Sequence, residues 1–269
     1  MKIAVILTTY NRPDMLERVL EGYSQQSDRH FELIVADDGS TSDTNMLLKG
    51  VKSAVDFPIR HCWQDDNGFR AAKIRNKAVN MSNAEYLIFS DGDCIPHFRF
   101  VETHRRFAET GFFLSGNRIL LSEIFTKKVI QSGINLNNFN FNKWIKSYIS
   151  GDINRLTPLV FFPDTSLRKI KLNKWIGVKT CNLSLWKKDF QQENGLDELY
   201  QGWGLEDSDL IVRLINSKIF NKSVKFAAPV FHLWHPQNSK NQIKKNLSQL
   251  NNTIKERRVR AVKGIEQYE

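Results

Sequence analysis

Ile3-Ala4-Val5-Ile6-Leu7-Thr8-Thr9-Tyr10-Asn11-Arg12-Pro13-Asp14 decides the fold class: an unbroken apolar run, an abrupt polar turn, and a proline where a helix would begin. An apolar run of this length reads as a strand buried on both faces, the habit of parallel sheets covered by helices. Proline suits a first helical turn because it has no N–H to leave unpaired there, so Asp14 to Gln26 is expected to be helical. The alternation continues outward. Phe31 to Ala36, Ile59 to Trp63 and Tyr86 to Ser90 read as further strands, and Ser42 to Val55 and Lys73 to Met81 as helices. Strands alternating with helices predict an α/β fold with a doubly wound sheet of the nucleotide-binding type.

Ligands of such sheets bind beyond the carboxyl ends of the strands. Three of those ends are polar: Thr8-Thr9-Tyr10-Asn11-Arg12, Asp37-Asp38-Gly39-Ser40 and Asp91-Gly92-Asp93. Asp91 and Asp93 supply two hard oxygen donors in one turn, which can bind Mg²⁺ or Mn²⁺ and leave positions open for phosphates. The same triplet also occurs as a plain solvated turn. His232 and His235 follow a strand expected near Val224 to Phe226, and they are either structural or metal ligands. Together with Asp93 they would form a mixed nitrogen and oxygen set that favours Mn²⁺ over Ca²⁺.

Glu206 and Asp207 open a helix expected from Asp207 to about Ser217, directly after Gly202-Trp203-Gly204. Acids suit a helix N-terminus on electrostatic grounds alone. A carboxylate held beside an aromatic platform can equally act as a general base towards a hydroxyl.

The length of 269 residues suits one large domain with a small appendage. With 41% hydrophobic and 25% charged residues, the chain has ordinary globular composition, which argues against disorder. No run approaches the roughly 18 apolar residues of a membrane span. The start lacks the pattern of a secretory signal, so a cytoplasmic location is expected. Cys62, Cys94 and Cys181 are too few and too widely spaced for a disulfide framework or a zinc motif.

The net charge is +10, and Lys240 to Glu269 carries half of it, with eight basic residues against three acidic ones. That stretch can bind an anionic partner, anionic lipid headgroups included, or be a solvated helix face. Its basic residues are not interleaved with aromatics as in an RNA-binding motif, so no nucleic-acid partner is expected. Between Arg118 and Lys174 the periodicity fades. The aromatics there (Phe125, Phe139, Phe141, Trp144, Tyr148, Phe161, Phe162) are expected mainly in the core, with stacking on sugar rings as the alternative.

Taken together, these motifs resemble glycosyltransferase family 2, whose members move a sugar from a nucleotide diphosphate to an acceptor hydroxyl with inversion. Gly202-Trp203-Gly204-Leu205-Glu206-Asp207 is similar to the acceptor motif of β-galactosyltransferases and chondroitin-polymerase-type enzymes, with Leu205 in place of a glycine. The resemblance implies the GT-A fold, a Rossmann-like mixed central sheet flanked by helices. On that basis 1–239 would be the catalytic domain, with 1–117 as its nucleotide-binding half and 118–239 as its acceptor-binding half, and 240–269 would be a basic helical tail.

It also implies residue roles. Thr9, Tyr10, Asn11 and Arg12 would line the uridine site, and Asp38 would hydrogen-bond the base. Arg70, Lys73, Arg75 and Asn76 would line the nucleotide-sugar site. Asp91 and Asp93 would be the DXD motif, with Asp93 the direct ligand of Mn²⁺ (or Mg²⁺) and His235 and His232 completing its shell. Asp207 would be the general base, Glu206 an acceptor contact and Trp203 a stacking platform. The donor would be a UDP-hexose or UDP-N-acetylhexosamine. The acceptor would be a glycan or lipid-linked glycan in bacterial surface polysaccharide or lipopolysaccharide synthesis, with the tail holding the chain at the inner membrane face. A binding protein that had lost catalysis would be expected to lack Glu206 and Asp207. A nucleotidyltransferase would show a glycine-rich basic loop after the first strand, which Thr8 to Arg12 is not.

Overall fold

The computed structural model describes residues 1–236, 239 and 241–268. The elements run β1 (Ile3–Thr9), α1 (Pro13–Ser24), β2 (Phe31–Asp37), α2 (Ser42–Lys52), β3 (Ile59–Trp63), α3 (Ala71–Asn80), β4 (Tyr86–Asp91), β5 (Cys94–Pro96) and α4 (Phe100–Phe107). They continue with β6 (Phe112–Ser115), β7 (Arg118–Leu120), α5 (Glu123–Ser132), α6 (Phe141–Ile149), β8 (Leu183–Trp186), α7 (Lys187–Gln192), α8 (Glu206–Asn216), β9 (Phe220–Ser223), β10 (Val230–His232) and α9 (Ile243–Lys255).

Among the described residues, seven strands form one sheet in the order β3-β2-β1-β4-β8-β6-β9. β1 pairs in parallel with both β2 and β4, while β8 runs antiparallel to β4 and to β6. The chain therefore leaves β1 on one side and returns beside it on the other, which opens a crevice at the carboxyl ends of β1 and β4. Alternate side chains of β1 feed two cores. Val5 and Leu7 pack with α1 and α4 on one face, and Ala4 and Ile6 pack with α3 and α8 on the other.

A second, three-stranded sheet has the order β5-β10-β7. Its register sets His232 opposite Cys94, so the turn carrying Asp93 lies against the strand carrying the histidine. The irregular middle segment backs this sheet: Trp144 stacks on Phe231 at 4.8 Å between ring centroids and packs near Phe139. Phe125 and Trp144 are core residues, whereas Phe141, Tyr148, Phe161 and Phe162 are exposed, so the expected core role holds for only part of the set.

Two expectations need correcting. The strand expected at Val224 to Phe226 is instead β9, at Phe220–Ser223. Val224 still donates to the Ser115 carbonyl, but the chain then turns, with Ala228 N–H donating to the Val224 carbonyl and Phe226 left-handed at φ +60°. The tail is also not an appendage beginning at 240. α9 packs on α8, and after it the chain returns to the body, where Ile265 is buried in the core beside α3 and its N–H donates to the Asn194 carbonyl. Arg258 and Arg260 form ion pairs with Glu256 and Glu266. Lys240 and Glu269 lie outside the described residues. No helix among the described residues is long and apolar enough to cross a membrane.

Candidate active site

The turn after β1 is laced to the turn after β2. Asn11, left-handed at φ +48°, donates its N–H to Ser40 Oγ at 2.8 Å and accepts the Thr41 N–H at 2.9 Å. Asparagine tolerates this conformation better than most residues. Asp37, fully buried, accepts the Ser40 N–H and faces His61 Nε2 at 2.9 Å, which fixes the second turn from beneath. Asp38 accepts from Gln64 Nε2 and from the Arg70 N–H, each at 2.6 Å, and burial pushes its carboxyl up. Gly39 is left-handed, and a Cβ there would lie 2.5 Å from the Asp66 Cα. That close approach lets the half-exposed Tyr10 donate its hydroxyl to Asp66 at 2.8 Å, across the mouth of the crevice. Thr9, Tyr10, Asn11, Asp38 and the Arg70 backbone thus gather at adjoining strand ends. Lys73, partly buried on α3, follows one turn later.

Asp91 and Asp93 follow at the end of β4, where Gly92 N–H donates to the Thr8 carbonyl at 2.7 Å. A Cβ at Gly92 would meet that carbonyl and the Thr9 hydroxyl at about 3.1 Å, so a glycine fits where the turn folds back on β1. Asp93 faces His235 Nε2 at 3.0 Å and His232 Nε2 at 3.8 Å, with the Arg12 guanidinium 4.0 Å away. Burial opposes ionisation of Asp93, but the hydrogen bond from His235 and the pull of both imidazoles outweigh it and hold the carboxyl at about 2. Burial pushes His232 down to about 4, whereas the Asp93 hydrogen bond raises His235.

His235 Nδ1 lies 2.8 Å from the Pro236 carbonyl, which fixes the ring so that Nε2 faces Asp93. A carboxylate flanked by two imidazole nitrogens, with a second carboxylate two residues away, fits a divalent cation of the Mn²⁺ type. Ligand atoms of Asp93, Cys94 and His232 all lie within 4.8 Å of one another. Burial drives the Cys94 thiol well above its ordinary range, so it acts as a donor, to Asp93 at 3.2 Å.

Arg75 links this turn to the motif at residues 202–207. This buried guanidinium donates to Thr8 Oγ1 at 2.8 Å, to Asp91 at 3.0 Å and to Glu206 at 3.2 Å. It therefore ties the Asp91 turn to the first residue of α8. Leu205 is left-handed at φ +77°, between Gly204 and α8. A glycine would adopt that backbone freely, so the conformation accounts for the glycine Leu205 replaces. Burial, followed by the neighbouring Asp207 charge, raises the Glu206 carboxyl, and its Oε2 has no hydrogen-bond partner. Asp207 accepts the Ser208 N–H at 2.7 Å through Oδ1, while Oδ2 lies 3.3 Å from the Lys179 ammonium. Trp203 is more than one-third exposed in the loop between Gly202 and Gly204.

Asn76 does not join this site. It is fully buried; its amide donates to the Leu196 carbonyl and to Glu198, and its oxygen accepts the Leu196 N–H, so it fastens the loop after α7 to α3. Arg75 likewise bridges carboxylates instead of presenting an open face to a ligand. Three contributors carry no sequence motif. Gln64 orients Asp38, Lys179 pairs with Asp207, and Asn246 of α9 donates to the carbonyls of Gln201 and Gly204, clamping the tryptophan loop. Only tertiary contact reveals them.

Residues 4–165 match the glycosyl transferase family 2 domain. The chain belongs to glycosyltransferase family 2. Residues 164–236 of this family 2 chain also match a domain described as the N-terminal domain of galactosyltransferase. Validoxylamine A glucosyltransferase of Streptomyces hygroscopicus subsp. jinggangensis is 26% identical over 79% of this chain and 51% of its own length. Hyaluronan synthase of Pasteurella multocida is 25% identical over 82% of this chain and 24% of its own, so the chain spans about half or less of these relatives. The crystal structure of S. aureus TarS residues 1–349 in complex with UDP superposes with a TM-score of 0.63 at 13% identity, covering 99% of this chain and 68% of that one. The fold is that of the GT-A glycosyltransferases, a mixed sheet flanked by helices.

Proposed function

We propose that this family 2 chain is an inverting, divalent-metal-dependent hexosyltransferase. It moves a hexose or N-acetylhexosamine from a UDP donor to a hydroxyl of a glycan or lipid-linked glycan, in bacterial surface polysaccharide or lipopolysaccharide synthesis on the cytoplasmic side. The observation that carries the reading is Arg75, which joins the Asp91 turn of the donor side to Glu206 of the acceptor side in one buried network. Relatives that include a hyaluronan synthase and a structural neighbour described in complex with UDP-GlcNAc support the donor class.

The residues divide the chemistry. Tyr10, Asn11 and Asp38 line the crevice that takes the nucleoside. Asp93, His232 and His235 would hold the cation, which stabilises negative charge on the departing diphosphate. Arg12, beside Asp93, adds positive charge on the same side. Asp207 accepts the acceptor hydroxyl proton as the oxygen attacks the anomeric carbon and the bond to the diphosphate breaks on the opposite face. This single displacement inverts the configuration. Glu206 orients the acceptor, since Arg75 holds its Oε1 while its Oε2 has no hydrogen-bond partner.

The test is transfer or hydrolysis of a panel of UDP-sugars by the wild-type chain with Mn²⁺, followed by the anomeric configuration of the product. Release of UDP with an inverted product supports the reading. Activity that persists in EDTA, or a retained configuration, contradicts it.

A further inference from the structure

The stretch from Arg155 to Lys179 carries six basic residues against one acidic residue, a local excess equal to that of the tail. It is also unusually apolar at its surface, with Leu167 59%, Ile170 71% and Ile176 68% exposed and Val160, Phe161 and Phe226 exposed beside them. These side chains sit on anchored backbone. Asn221 of the edge strand β9 donates its N–H to the Leu172 carbonyl and its amide to the Lys171 carbonyl, and Phe162 N–H donates to the Phe226 carbonyl. The buried Arg168 guanidinium binds the carbonyls of Phe162, Pro163, Ser223 and Lys225. An apolar surface held this firmly gains most by meeting a partner that removes it from water.

Four of the cations around it lack an acidic partner. Lys225 is crowded by Lys174, Lys171 and Arg155, and burial together with those charges pushes its ammonium down. The nearest acids, Glu109 and Asp164, are already paired with Lys169 and Lys222. Among the described residues none of the four crowded cations forms an ion pair. In the tail, by contrast, two arginines are neutralised by their own glutamates.

We propose that this face, formed by residues 160–176 with Lys225 and Phe226, docks on a bilayer containing anionic phospholipid. Cations meet the headgroup phosphates while Leu167, Ile170 and Ile176 enter the interface, the combination that interfacial membrane binding requires. A soluble polyanion would leave the isoleucines in water. A second copy would set two faces of like charge against each other. The chain runs on from Ile176 to Lys179, which pairs with Asp207, so three residues of chain join the docked face to the proposed acceptor carboxylates. The inference deepens the reading above by placing the acceptor at a membrane, but vesicle binding is measured without donor or acceptor, so the two can fail separately.

The experiment is flotation of the full chain with phosphatidylcholine vesicles, with and without phosphatidylglycerol. Lys171→Glu/Lys174→Glu, Ile170→Ser/Ile176→Ser and the tail control Lys244→Glu/Lys245→Glu are compared, with unchanged melting temperatures showing that each is folded. Wild type should float only with phosphatidylglycerol, each variant of the face should bind about tenfold or more weakly, and the tail control should stay close to wild type. Absence of wild-type binding, binding undiminished in either face variant, equal competition by soluble polyphosphate, or a wild-type dimer that the face variants dissociate would each overturn it.

Discussion

The proposed donor and acceptor sides of the site are held in place by different means. In residues 1–117 the polar groups sit at the ends of buried parallel strands, and neighbouring turns hold one another, as Asn11 and Ser40 do. In the acceptor half, Glu206 and Asp207 stand on one helix end and are fixed by residues far along the chain: Arg75, Lys179 and, through the tryptophan loop, Asn246. The donor side is therefore a property of sheet topology, whereas the acceptor side depends on a few long-range polar contacts that single substitutions can remove.

Asp207→Asn should break that comparison most sharply. Loss of a general base lowers transfer by roughly 10²–10⁴-fold, while the donor half still binds UDP, as a retained melting shift would show. A variant that turned over like wild type would move the base elsewhere. Arg75→Met comes next, because it leaves the buried Glu206 without its cation and also removes the partner of the partly exposed Asp91. Removing one partner of a buried pair costs about 3–5 kcal/mol, so chemical denaturation should show a loss of that order. A loss under about 1 kcal/mol would mean that solvent reaches the network.

Asn246→Ala sharpens the contrast in the other direction. It removes two hydrogen bonds to the tryptophan loop, worth about 1–3 kcal/mol together, and should raise the KM for acceptor while leaving that for donor unchanged. Equal changes in both would mean that the tail supports the whole fold and not the acceptor loop. The smallest effect is expected from Leu205→Gly. Relief of a left-handed non-glycine residue is worth about 1 kcal/mol, partly offset by the added freedom of the unfolded chain, so melting should rise slightly or stay level. A clear fall would show that the Leu205 side chain packs usefully.

The same contrast explains what was legible in the sequence. β1 to β4 and α1 to α3 follow from unbroken apolar runs and helix starts, and the structure moves most of their boundaries by only one to three residues. The turns bearing Tyr10, Asp38 and Asp93 were legible because strand ends are where such sheets bind ligands. Asn76 misled because its place in the motif does not reveal that α3 turns it away from the crevice to hold Leu196. Lys179 and Asn246 were invisible because neither periodicity nor spacing encodes a contact across the fold. The 224–226 strand failed for a local reason: Phe226 turns left-handed and ends the extended run.

The most direct measurement is thermal unfolding of the purified chain with UDP, GDP or CMP, each with and without Mn²⁺, beside the Asp93→Ala variant. A ligand present at about 100 times its Kd adds about 2.7 kcal/mol to the native state. The account predicts a rise in Tm with UDP that requires Mn²⁺ and is lost in Asp93→Ala. An equal rise in EDTA, or none with any nucleotide, would contradict a metal-dependent nucleotide-sugar site at Asp93, His232 and His235.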